Sequence, residues 1–340
     1  MKDLTEYLKS EIKDYLFTEL DPDFLVSSDL SFLVEVPIPI KPEDLKDFTK
    51  DGLSTSKIAD SMAMVIGADS EFRYEAFYIH YLKKLFDEKI TDVFCSKAEG
   101  YLRQGLPRRA ICYLRAALKL YPESLAPMYS YANGCRIWYQ SMEGSDETEL
   151  ISLLKADSYM YFSRVTDLYP DFAQGWYFLG YAFLNSGAYT KADIAFRHYL
   201  EHSEGQPEDD IKEIRERVEE LKDPIKLEEG KTLLMAGRIT EALAVLEPYV
   251  ESKYSSWWPL HFYLAVAYEN LGYDEEAIEG YLKVLQLNPS NYDAMTALSD
   301  LYEKNGDTEK ARKYSQKAKL VLDNNSGSSD DVELIKEKGN

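Results

Sequence analysis

His198, Glu201 and His202 carry the clearest chemical spacing in the chain, H-x-x-E-H. Two imidazoles four residues apart share one face of a helix and can hold a zinc ion, while the glutamate polarises a bound water for hydrolysis. A plainer reading competes with this one. The five residues close a helix just ahead of Gly205 and Pro207, where a histidine interacts favourably with the negative end of the helix dipole. The helical register turns that face to solvent, so the chain is read as non-catalytic, with no cofactor and no metal; zinc-dependent hydrolysis is the alternative. His80 and His261 stand singly on predicted helices, as surface or hydrogen-bonded core residues rather than general bases. The sequence has no glycine-rich phosphate loop and no G-x-S-x-G elbow. Cys95, Cys112 and Cys135 are an odd number without close pairing, which reads as reduced core thiols in a reducing compartment.

The elements that must hold these side chains are written as repeats. Leu264, Tyr268, Gly272 and Ala277 recur 34 residues later as Leu298, Tyr302, Gly306 and Ala311. A unit of that length, two helices and a turn, cannot bury its own apolar face and has to stack on copies of itself. The same register places Gly237, Gly187 and Gly105 at inter-helix turns, with Gly144 inside a longer connection; glycine takes positive φ there without strain. Small residues stand seven positions before most turns, at Ala98, Gly180, Gly230, Ala265 and Ser299, with Ala132 in the expanded unit, and five positions after them at Ala110, Ala192, Ala242, Ala277 and Ala311. Two helices approach closely only where facing side chains are small, so these are the expected crossings. Pro122, Pro170 and Pro289 mark the ends of second helices.

At these positions the chain resembles the tetratricopeptide repeat family. The family pattern W-x2-L-G-x2-Y…A-x3-F…P is met by Trp176, Leu179, Gly180, Ala192 and Phe196, and again by Leu264, Tyr268, Ala277, Tyr281 and Pro289. Ala265 and Ser299 replace the family glycine, Tyr181 falls two residues early, and a long insertion lies between Leu125 and Pro170. The resemblance spans residues 91–321. It implies an all-α fold, a TPR-type α-solenoid (a right-handed superhelix of helix-turn-helix repeats), here with a divergent N-terminal region. It also implies a non-catalytic scaffold that binds a protein or peptide segment on its concave surface, which the first helix of each unit lines. Carried onto this chain, that stripe is Tyr129, Asn133 and Arg136, then Tyr177, Phe178, Tyr181 and Asn185, then Lys231, Phe262, Tyr263 and Asn270. Tyrosines there would bury area at low entropy cost, and asparagines would bond both N–H and C=O of an extended peptide. Trp176 and Phe183 are expected in the core. The clamp with which some family members hold the C-terminal carboxylates of chaperones does not carry over, because its positions hold Cys95, Glu99, Ser130, Gln174 and Phe178.

Five segments follow: an N-terminal divergent or capping segment at 1–54, a degenerate helix pair at 55–90, a first repeat block at 91–222, a second at 223–321, and a disordered tail at 322–340. Within the first, residues 2–19 read as helical, Phe32 to Ile40 as extended, and Glu43 as the start of a short helix. Ala76 falls in the register of the later alanines. The insertion lengthens helices around Glu143 to Glu147, and Ile211, Ile214, Val218 and Leu221 form the apolar stripe of an added helix over Pro207 to Lys222. A net charge of −21 repels phosphate backbones and anionic bilayers over a Debye length of about 10 Å, so neither nucleic acid nor membrane is an expected partner. No segment reaches the ~18 apolar residues that would span a bilayer, and the N-terminus alternates Lys with Asp and Glu; a soluble, cytoplasmic, acidic protein is expected. A self-associating or autoinhibited scaffold, its groove filled by residues 1–90 or the tail, is the second expectation, which allows a homo-oligomer.

Overall fold

The computed structural model describes residues 3–46 and 54–336, with side chains to 323. The chain divides into two compact units, Met1–Gly187 with Ile194–Ile211, and Ala188–Asp193 with Lys212–Asn340.

The first unit opens on α1 (Thr5–Leu8), a 3-10 turn, β1 (Leu16–Thr18), α2 (Pro22–Ser27) and β2 (Ile38–Ile40). β1 and β2 pair antiparallel with Phe17 opposite Pro39. Residues 2–19 are therefore not one helix as the local pattern predicts. Strand pairing draws its hydrogen bonds from a partner remote in sequence, which local propensity does not register. Ile38 and Ile40 are buried. After them come two helices within 55–90, α3 (Thr55–Ala68) and α4 (Glu75–Leu85). Three hairpins follow: α5 (Ile90–Arg103) with α6 (Pro107–Leu120), α7 (Leu125–Ser141) with α8 (Thr148–Leu168), and α9 (Ala173–Asn185) with α10 (Tyr189–Glu201). The insertion is absorbed by α7 and α8, 17 and 21 residues long. The boundary between units passes inside α10 and inside α11 (Glu208–Glu220), not at residue 222.

The second unit continues with α12 (Lys222–Met235) and α13 (Ile239–Leu246), α14 (Trp258–Leu271) and α15 (Asp274–Leu287), and α16 (Tyr292–Lys304) and α17 (Thr308–Lys336). Its cores gather Leu227, Leu246 and Leu260 in one cluster and Tyr281, Val284 and Leu298 in another. The helical backbone of α17 runs past 322, where the sequence predicts disorder; once nucleated, a helix adds residues at little cost per step. Residues 337–340 of that tail lie outside the described residues. No helix among the described residues is long and apolar enough to cross a membrane.

The turn glycines behave as the register requires. Gly105, Gly237, Gly272 and Gly306 have φ of 71°, 75°, 81° and 80°. Each carries a paired closure: at Gly105 its own N–H reaches the Leu102 carbonyl at 3.0 Å while Leu106 N–H reaches Tyr101 at 2.9 Å. Two otherwise orphaned helix carbonyls are satisfied in this way.

The crossings are tighter still. A Cβ placed on Gly180 would meet the Phe196 ring at 2.4 Å, and one on Gly230 would meet Leu246 at 2.4 Å. Ala110, Ala132, Ala242, Ala265 and Ala277 are fully buried, and Ser299 Oγ donates to the Ala311 carbonyl at 3.1 Å. The degenerate pair crosses differently from its sequence register. Ala76 is exposed, and the close approach lies at Gly67, where a Cβ would sit 1.8 Å from the Cys112 carbonyl oxygen. α3 and α6 thus meet backbone to backbone.

Ionic contacts complete the attachment of the N-terminal segments to α6. Asp60 on α3 pairs with Lys41 and with Lys97 of α5, while Tyr113 of α6 donates to Asp60 at 2.8 Å and accepts from Lys41 at 3.0 Å. Arg109 reaches Glu11 at 3.0 Å, Arg115 reaches Asp3 at 3.4 Å and donates to Thr5 Oγ1 at 3.2 Å, and Lys119 pairs with Glu75. Burial acts to raise the Asp60 carboxyl pKa, but Lys41 and Lys97 outweigh it and hold the value below the usual 3.8.

Gly67→Ala should cost about 3 kcal/mol or more, since a backbone cannot step aside as a side chain can, whereas Gly105→Ala, with open space but positive φ, should cost about 1 kcal/mol; urea midpoints of the two variants measure the difference. Because the Asp60 pKa is depressed on folding, its stabilisation is present above the unfolded value and is lost as pH falls below about 4. Asp60→Asn should accordingly remove about 3 kcal/mol at neutral pH and flatten the acid limb of stability against pH, read by urea denaturation from pH 7 downward.

Candidate functional site

In the first unit the leading helices of the second and third hairpins, α7 and α9, carry the predicted stripe. Tyr129, Asn133 and Arg136 fall at i, i+4 and i+7 of α7 and share one face. Arg136 lies 4.5 Å over the Phe178 ring. Its Nε and Nη2 donate to Asn133 Oδ1 at 3.1 and 2.9 Å, and Nη1 donates to Gln140 Oε1 at 2.7 Å. Burial pulls the guanidinium pKa down from its usual value, yet arginine keeps its charge in proteins. Among the described residues its polar partners are neutral amides, not carboxylates. Asn133 therefore spends its carbonyl oxygen inside the protein.

Aromatic rings extend the stripe onto α9. Tyr129 meets Phe172 edge to face at 5.1 Å, and Phe178 stacks on Phe162 at 5.2 Å. Phe178 is thus largely a packing residue that presents a face to Arg136. Tyr177 and Tyr181 meet edge to face at 5.0 Å, and each leans on α10, Tyr177 on Tyr199 at 5.3 Å and Tyr181 on Phe196 at 5.1 Å. Asn185 is exposed one turn further. Seven of the named residues are therefore carried by two neighbouring helices of one unit.

The other four belong to the second unit. Lys231 is exposed on α12. Phe262 packs inward, 5.7 Å from Tyr281 and 6.3 Å from Trp258, and Tyr263 lies 6.4 Å from Trp257. Asn270 Nδ2 donates to the Val266 carbonyl of its own helix at 2.8 Å. Two aromatic residues expected in the core are instead half-buried. Trp176 stacks on His198 at 4.4 Å and donates to the Pro170 carbonyl at 2.7 Å, while Phe183 meets Tyr159 at 5.7 Å. Pairing across the helix face, rather than full enclosure, occupies both rings.

A cleft of about 400 Å³ lies between α5 and α7, lined by Asp92, Cys95, Ser96 and Glu99 on one side and Tyr129, Ser130 and Asn133 on the other. The predicted stripe begins only at Tyr129 and omits α5. The signal was present in the repeat register, which places Cys95, Glu99 and Ser130 at groove positions. Burial pushes the Cys95 thiol up to about 11, against an opposing hydrogen bond with Ser130, and burial pushes Cys112 up to about 12. Neither thiol is a nucleophile at neutral pH.

The H-x-x-E-H segment ends α10. Ligand atoms of His198, Glu201 and His202 all lie within 4.8 Å of one another. His198 Nδ1 is 3.2 Å from Glu201 Oε2, and His202 Nδ1 is 3.7 Å from Asp171 Oδ1. His198 and Glu201 are well exposed, at 41% and 64% of the side chain, so the cluster opens to solvent as the register predicts.

Comparison with known proteins bears on the repeats. Three profiles described as tetratricopeptide repeat match residues 160–207, 258–291 and 281–313. No curated protein matches the sequence. Solved structures with similar chains include MamA 41-end from Desulfovibrio magneticus RS-1, at 14% identity over 70% of this chain and 97% of that one with a TM-score of 0.27. YrrB, titled a TPR protein with an unusual peptide-binding site, is 18% identical over 61% of this chain and 91% of its own, with a TM-score of 0.27. Proteins built from such repeats are typically interaction scaffolds rather than enzymes. With profile matches falling on helix pairs that carry the turn glycines and small crossings, residues 160–207 and 258–313 of the chain are tetratricopeptide repeats.

Proposed function

We propose that the first unit holds an extended segment of a partner protein along the α5, α7 and α9 face. The observation that carries this reading is the juxtaposition of the α5–α7 cleft, the Arg136 guanidinium bonded among the described residues to neutral amides, and the paired Tyr177 and Tyr181 rings. Half-buried tyrosines bury apolar area on contact while losing few rotamers. Asn133, its oxygen engaged by Arg136, would serve the ligand backbone as a donor only. Asp92 and Glu99 in the cleft favour a ligand with a basic residue at that point, in keeping with the overall negative charge. The anchoring of the N-terminal segments on α6 favours a groove open to a partner over one filled by residues 1–90.

Affinity capture followed by mass spectrometry supplies the partner, and a titration with that purified partner supplies the test. The double change Tyr177→Ala with Tyr181→Ala should weaken binding at least tenfold, roughly the loss of one strong interfacial anchor. Phe77→Ala, at an exposed ring of α4, should leave affinity within about twofold, as expected for a residue outside the interface core. Unchanged affinity in a double variant whose circular dichroism is native would refute the groove.

A further inference from the structure

The cluster at the end of α10 is a second concentration of chemistry, separate from the groove stripe. His198 and His202 stand one helical turn apart, and Glu201 joins them on the same face, with ligand atoms within 4.8 Å of one another. The His198 ring does not swing freely, because it stacks on Trp176 at 4.4 Å with 23° between planes. Across from it, Asp171 in the turn between α8 and α9 offers an oxygen 3.7 Å from His202 Nδ1. That turn is already held in place by the Trp176 indole on the Pro170 carbonyl, and Gln174 bonds Gln206 at 2.6 Å just beyond α10.

We propose that His198, Glu201 and His202, completed by Asp171, chelate a divalent transition-metal cation of the zinc class. Two imidazole nitrogens with two carboxylate oxygens match that class, whereas calcium and magnesium take all-oxygen shells. Zinc held about 2.0–2.2 Å from each donor needs donors about 3.2–3.6 Å apart. The donors of His198, Glu201 and His202 already lie within 4.8 Å of one another, so the ion would close the remaining gap by turning Glu201, His202 and Asp171 toward a His198 ring held by Trp176. The bound ion would tie the last turn of α10 to the turn that precedes α9, clasping the open end of that hairpin. Hydrolysis is not part of this assignment. Glu201 acts as a ligand here and not as a base, and the cluster is open to bulk water instead of enclosed in a low-dielectric pocket.

Calorimetric titration of the full chain with zinc chloride should give one equivalent bound, and excess magnesium should not compete. His198→Gln and His202→Gln should each lower the affinity about tenfold or more, with Asp171→Asn giving a smaller loss of roughly threefold; His80→Gln should change nothing. Copper(II), added to the full chain, should quench the Trp176 share of tryptophan fluorescence in the wild type and not in His198→Gln. These positions are exposed enough for the variants to fold, which circular dichroism verifies. Stoichiometry below a tenth of an equivalent, or equal zinc affinity in both histidine variants and the wild type, would overturn the site.

Discussion

Close helix crossings at residues without a side chain are the constraint on which both units depend. At Gly67 against Cys112 there is no room for even one carbon, and at Gly180 against Phe196 and Gly230 against Leu246 a ring or a branched side chain fills the space a Cβ would need. Close approach increases the area of contact between elements that are individually too short to be stable, since an isolated helix of about a dozen residues is marginal in water. It also sets which side of each helix remains for other work. Once the small residue faces its partner helix, the residues on the opposite stripe are committed to the outward face.

That geometry explains why the polar chemistry of the first unit separates into two kinds. Against α6, charges are paired and partly buried: Asp60 with Lys41 and Lys97, Glu75 with Lys119, Glu11 with Arg109. These contacts join segments remote in sequence and tolerate burial because each charge has a counter-charge and hydrogen bonds. On the α7 and α9 face, the partners of Arg136 among the described residues are amides and an aromatic face. A guanidinium in that setting keeps its electrostatic demand largely unmet within the chain. The contrast separates a face of paired charges that joins segments of the chain from the face proposed to meet a partner, in a protein whose net charge of −21 supplies many acids that could have paired Arg136.

Much of the repeat architecture was legible because its signals are local and periodic. Gly105, Gly237, Gly272 and Gly306 mark turns by a backbone requirement that one residue type meets best, and Pro122, Pro170 and Pro289 end helices by a missing donor. The lengthened α7 and α8 follow from counting residues between turns. The N-terminal segment was not legible to the same degree. β1 at Leu16–Thr18 exists through its pairing with Ile38–Ile40, and Gly67 acquires its role only because Cys112 lies opposite. Of the residues expected along the groove, Tyr129 and Arg136 share one face of α7 and Tyr177 and Tyr181 one face of α9, while Phe262 packs beside Tyr281 and Asn270 folds back on Val266. Register gives the direction of a Cα–Cβ bond and does not reveal which neighbour the rest of the side chain will meet.

By itself, then, the sequence determined the number and kind of repeating helical hairpins, their turns, their breaks and their small crossings, because each depends on conformational preferences confined to a few adjacent residues. Tertiary structure alone decided that α5 and α7 open a cleft, that Arg136 bonds the amides of Asn133 and Gln140, and that His202 at the end of α10 lies 3.7 Å from Asp171. Those outcomes depend on side chains brought together from separate helices, and their distances are set by how closely the backbones pack.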